Sequence, residues 1–136
     1  MWFIWTFLAC SGAPEKDAAI AIAPLETFSP GMWEQRALTI QSGLQEALAL
    51  SEADEKQEAH DLVEAIYTGS FEPELEPVIR AHLGRRVALE LEYEFAKMLR
   101  AIQHRREREE QLEILLDQVG QAAAILESKA ASMRQD

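Results

Sequence analysis

The stretch PELEPVIRAHLGRRVALELEYEFAKMLRAIQ, residues 73–103, decides the fold class. Leu75, Ile79, Leu83, Val87, Leu91, Phe95, Met98 and Ile102 recur along it at spacings of three and four, which is the apolar stripe of one helix face. No strand-like alternation with period two interrupts the pattern. Pro77 and Gly84 predict a bend or break in its first half, because proline withholds a backbone donor and glycine weakens the helix.

The same periodicity extends to both sides. Upstream, Ser29-Pro30 is a helix start with a capping hydroxyl and a proline in the first turn. Trp33, Ala37, Ile40, Leu44 and Leu48 then mark one inner face. Ser51 is expected to cap a second helix, with Asp54 and Glu55 in its acidic first turn and Ala59, Leu62, Val63 and Ile66 on its thinner apolar side. Thr68-Gly69-Ser70 is expected to end that helix, glycine supplying a left-handed stop. Downstream, the charge run from Arg105 to Glu110 precedes a last helix traced by Leu112, Leu115, Val119, Ala122, Leu126 and Ala130. Four amphipathic helices with short connections predict an all-α protein, an antiparallel four-helix bundle over residues 31–134.

The first ten residues, MWFIWTFLAC, are of different composition: the apolar run is uncharged, and the first ionisable acid is Glu15. It is too short to span a bilayer core as a helix. Phe7-Leu8-Ala9-Cys10 followed by Ser-Gly-Ala-Pro is similar to a bacterial lipoprotein signal, with Cys10, the only cysteine, as the lipidated thiol. No Lys or Arg precedes the run, and Phe7 stands where an aliphatic residue is usual. Residues 11–30, punctuated by Pro14, Pro24 and Pro30, read as a tether. The expected address is the periplasmic side of the cell envelope, on a membrane held through the lipid anchor.

Composition removes several function classes. The formal charge is −11, and no basic run exceeds two residues. Such a chain repels phosphate backbones, so a nucleic-acid partner is not expected. There is no Gly-x-Ser-x-Gly elbow, no Gly-rich phosphate loop and no Cys-x-x-Cys-His. Met98 falls on the apolar stripe and reads as core. A binding or docking protein is therefore expected rather than an enzyme.

Carboxylates at helical spacing are the remaining chemistry. Di-iron bundles carry Glu-x-x-His on facing helices. Here the residues three before His60, His82 and His104 are Gln57, Ile79 and Ala101, so that motif is absent. Glu72 with Glu76, and Glu90 with Glu94, are pairs four apart, each able to present oxygens to a hard cation. His82 could add a nitrogen, and His60 with Glu64 is a similar pair. Equally, Arg80, Arg85 and Arg86 could neutralise these acids as ordinary helix-surface partners.

Residues 71–95, FEPELEPVIRAHLGRRVALELEYEF, resemble the periplasmic helical domain found with bacterial high-affinity iron permeases. Phe71, Glu72, Glu76, Ile79, Arg80, Ala81, Arg86, Ala88, Glu90, Leu91, Glu92 and Phe95 carry the likeness. The spacing agrees without a gap from Arg80 to Phe95, and this chain is one residue shorter between Glu72 and Glu76. The resemblance implies a stand-alone accessory protein in iron uptake. Glu72, Glu76, Glu90 and Glu92 would be its metal ligands, iron its cargo, and an iron permease or another envelope protein its partner. The multi-helix transport portion of that family is not expected here. Arg106-Glu107-Arg108-Glu109-Glu110 satisfies its Arg-Glu-x-x-Glu pattern, but lies in a charge run with no apolar span beside it. The alternative is a helical lipoprotein that docks a protein and holds no metal.

Overall fold

The computed structural model describes residues 23–136, and all regular structure among them is helical. After a 3₁₀ turn at Leu25–Thr27 come α1 (Met32–Glu52), α2 (Lys56–Ile66), a π-helical segment (Tyr67–Leu75), α3 (Glu76–His82), α4 (Arg85–His104) and α5 (Arg108–Gln135). The leader ending at Cys10 and the tether up to residue 22 lie outside the described residues. No described helix is long and apolar enough to cross a membrane.

α1 packs on α2 and α5, and α4 also packs on α2 and α5, so the four principal helices surround one core. Trp33, Ile40 and Leu44 from α1, Val63 from α2, Phe95 and Met98 from α4, and Leu115 and Leu126 from α5 are among its fully enclosed side chains. Truncating one of these leucines to alanine costs roughly 2–5 kcal/mol in such a setting. Gly43 lets α1 and α2 approach closely: a β-carbon there would stand 2.7 Å from Cδ1 of Ile66.

Several boundaries differ from expectation. Ser29 does not cap α1, which starts at Met32 after Gly31 in the left-handed region at φ 82°. The cap comes from the far end of the chain, where the Glu127 carboxylate of α5 accepts from the backbone N–H groups of Gly31 (3.0 Å) and Trp33 (2.7 Å). An acid at a helix N-terminus satisfies orphan donors and the helix dipole together. Ser51 is not a cap either. It lies buried in the last turn of α1 and accepts from Arg108 at 2.6 Å, while α2 starts five residues later. Leu25, in the stretch expected as tether, is enclosed in the core, and Phe28 meets Trp33 edge-on at 4.8 Å between ring centres.

The largest correction concerns Thr68-Gly69-Ser70. The helix does not stop there but widens into the π segment, which runs on into α3. Pro73 and Pro77 each remove an N–H that an α-helix would use, and i→i+5 bonding accommodates such interruptions. The changed phase buries Phe71, Leu75 and the neighbouring Glu76 together. The break expected at Gly84 is present, at φ 103°. It resets the helix phase, so Ala88 is buried in α4 while Leu83 and Val87 are only half-buried.

Candidate carboxylate site

The π segment, α3 and α4 together carry the most unusual charge arrangement among the described residues. Glu76, at the first turn of α3, is only 5% exposed. Arg80, one turn on, forms a close ion pair with it and reaches Glu92 of α4 at 3.5 Å. Glu76 also shares a hydrogen bond with Glu92 and feels the charge of Glu72. Two carboxylates therefore share one guanidinium, and the charge of a third, exposed Glu72, is felt beside them. Burial is the main reason the Glu76 carboxyl is pushed up to about 7; the hydrogen bond and negative charge of Glu92 and the charge of Glu72 add to it, and Arg80 opposes it.

An aromatic cluster adjoins these groups. Tyr67 lies 5.7 Å from Phe71 and 5.3 Å from Phe95 between ring centres, and Phe71 lies 4.8 Å from Phe95. Burial raises the Tyr67 phenol above its ordinary value, and Glu92, Glu72 and Glu76 raise it further against the pull of Arg80. Tyr67 is thus electrostatically part of the cluster. It falls just before Thr68-Gly69-Ser70, where the sequence signals a helix end, so periodicity did not mark it as a site residue. The Arg80 partnership was legible, because Glu76 and Arg80 are four apart on one helix.

Of the four acids carried by the resemblance, Glu76 and Glu92 meet at Arg80, while Glu72 is exposed and reaches them only through its charge. Glu90 does not join them. It lies on another face of α4, more than half exposed, and accepts from Arg86 Nε at 3.0 Å. Glu94, four residues on, is buried but fully employed: Gln111 donates to it at 2.6 Å and Lys97 at 3.2 Å. His82 turns to the carbonyl of Ala23, 3.3 Å away. A second grouping lies on α2, where His60, Asp61 and Glu64 each offer a donor atom within 4.8 Å of the others. Asp61 is three residues before Glu64, a helical spacing that could have added it to the His60 and Glu64 pair. It already accepts from Gln57 at 2.8 Å.

Chemically, the Glu76 cluster offers hard oxygen donors beside an apolar wall, with one carboxyl that exchanges its proton near neutrality. A cation entering it would displace that proton and weaken the hold of Arg80. Comparison with protein-family models, with curated proteins and with solved structures finds no match.

Proposed function

We propose that this chain is an accessory protein of iron uptake that holds iron through Glu72, Glu76 and Glu92 and hands it to a permease or another envelope protein. In this reading the four principal helices form an antiparallel bundle, lipid-anchored through Cys10 on the periplasmic side of the membrane. The observation that carries it is the meeting of two of the resemblance-derived acids, Glu92 and the buried Glu76, at one guanidinium, with the charge of a third, Glu72, felt beside them. Iron is the cargo and no bond is made or broken. Binding exchanges a proton for a cation, so uptake is favoured as pH rises through the Glu76 range and release as it falls.

The test is a calorimetric titration of the full chain with ferrous iron under anaerobic conditions, repeated on Glu76→Gln/Glu92→Gln. Saturable binding near one equivalent, lost in the double variant, supports the reading. Absence of binding, or binding untouched by the substitutions, sinks it.

A second reading rests on Arg80. A guanidinium already pairs with both Glu76 and Glu92, as in a purely structural ion-pair network. The protein is then a docking module without metal, and Arg80→Gln decides: it sharpens iron binding in the first case and only destabilises in the second.

A further inference from the structure

We propose that the outer face of α4 docks on an anionic phospholipid surface, with a headgroup phosphate held by Lys97, Arg100, His104 and Arg106. The charge distribution points there. The chain carries −11 overall, yet eight of its 13 Lys and Arg residues fall between Arg80 and Arg108, a stretch with only four acids. Lys97, Arg100, His104 and Arg106 line an open hollow of about 560 Å³ where α4 turns into α5, with Glu107 its one acid.

Lys97 is shared with Glu94 at 3.2 Å, and the cations at that corner that do not line the hollow are engaged elsewhere. Arg105 pairs with Asp54 at 2.5 Å and Arg108 donates to Ser51. Arg100 and Arg106 are exposed and form no ion pair among the described residues. The hollow is bordered by the start of α5, whose N-terminus has no side-chain cap. Guanidinium forks and a nearby helix N-terminus are the donors a phosphate takes up.

The apolar half of the face selects the lipid over a soluble phosphate. Leu89, Tyr93, Lys97, Arg100 and His104 follow one another at spacings of four and three, on one side of α4. Leu89 and Tyr93 are 46% and 55% exposed, and Lys97 stacks on the Tyr93 ring at 4.7 Å. Arg85 and Arg86, the latter paired with Glu90, flank the same two residues around an apolar hollow. Aromatic and aliphatic side chains bracketed by cations suit the boundary between headgroups and acyl chains. None of these side chains belongs to the Glu72, Glu76 and Glu92 cluster.

The experiment is co-sedimentation of the full chain with vesicles of phosphatidylcholine alone and of phosphatidylcholine mixed with phosphatidylglycerol. Any contribution of the apolar leader is indifferent to headgroup charge, so the ratio between the two vesicle types is the readout. A chain of this net charge is otherwise repelled by anionic vesicles. The wild type should favour them, and salt should weaken the preference. Arg100→Gln/Arg106→Gln should lower anionic-vesicle partition roughly 10- to 30-fold, given the usual contribution of each surface cation. Both residues are exposed, and an unchanged circular dichroism melt confirms that the variant folds. Displacement of the wild type from anionic vesicles by inorganic pyrophosphate at constant ionic strength supports phosphate occupancy. Equal or weaker partition onto anionic vesicles overturns the docking, as does a preference that survives the double substitution. Pyrophosphate binding without any vesicle preference also overturns it and leaves a site for a soluble phosphate compound.

Discussion

Two glutamates are buried among the described residues, and they are buried differently. Glu94, 7% exposed between α4 and α5, has a donor for each carboxylate oxygen: Lys97 on one and Gln111 on the other. Glu76, 5% exposed beside the π segment, has one strong donor, Arg80, and two further carboxylates as neighbours. The first is a closed polar strut whose charge is answered on the spot. The second has an excess of negative charge around it, and its carboxyl is pushed up to about 7. Burial alone does not distinguish them; the ratio of donors to acceptors does, and only the second has acceptors in excess, which is what the proposed iron binding requires.

Iron binding is the largest way to break that comparison. Glu76→Gln or Glu92→Gln should weaken ferrous iron binding by at least about tenfold, since even supporting residues of metal sites cost that much. Glu94→Gln and Glu90→Gln should leave it within about twofold, because neither faces the cluster. Equal losses at Glu94 and Glu76 in anaerobic titration would mean that the two environments are not distinct.

Stability is expected to reverse the order. Glu94→Ala strands the Gln111 amide and the Lys97 ammonium at a half-buried contact, and should cost about 2 kcal/mol in urea unfolding. Glu76→Gln keeps a hydrogen-bonding group next to Arg80, which is half exposed, and should cost less than Glu94→Ala at pH 7.

The pH dependence sharpens the contrast. Folded Glu76 holds its proton up to about 7, whereas an ordinary glutamate releases it near 4.5. Between those values the folded chain binds more protons than the unfolded chain. The stability contributed by this group is therefore full below the lower value and is lost as pH rises through the upper one. The wild type should lose on the order of 2 kcal/mol from this source between pH 5 and pH 8, seen as a falling melting temperature. Glu76→Gln should flatten the profile over that window, and Glu94→Gln should leave the fall in place.

How much of this could be read from the chain depended on whether the signal was local. The apolar stripes of α1, α4 and α5 depend only on spacing, and Trp33, Leu91, Phe95 and Leu126 are all enclosed as the stripes require. The Glu76–Arg80 pair is also local, at one helical turn. The capping of α1 by Glu127 joins residues 94 to 96 positions apart, and no pattern at the N-terminus reveals it. The π segment hid the most. Gly69 between two hydroxyl residues has the composition of a helix end, but the buried Phe71 and Leu75 hold the chain helical through it. The widened turn puts Tyr67, and the charge of exposed Glu72, within electrostatic reach of Glu76. Glu90 joins Glu92 only through the resemblance, and residues two apart on a helix point to different sides.

The smallest expected effect concerns another buried polar group. Trp33 is wholly enclosed, and among the described residues its indole Nε1 has no acceptor. Where Glu94 is fully answered and Glu76 is over-supplied with acceptors, Trp33 is a donor without one. Leaving a buried N–H unpaired costs about 1–3 kcal/mol, so Trp33→Phe removes a penalty. The same change removes apolar volume beside Phe28 and loses the stacking of Arg36, 5.1 Å from the ring centre. Deleting ring volume from an enclosed site costs a comparable amount. The two terms oppose each other, and the net change should lie within about 1 kcal/mol, far below the usual cost of truncating a buried tryptophan to alanine. A loss of several kcal/mol on Trp33→Phe would show that the indole N–H has an acceptor after all, and an amide exchange-protected indole proton in the NMR spectrum would identify it.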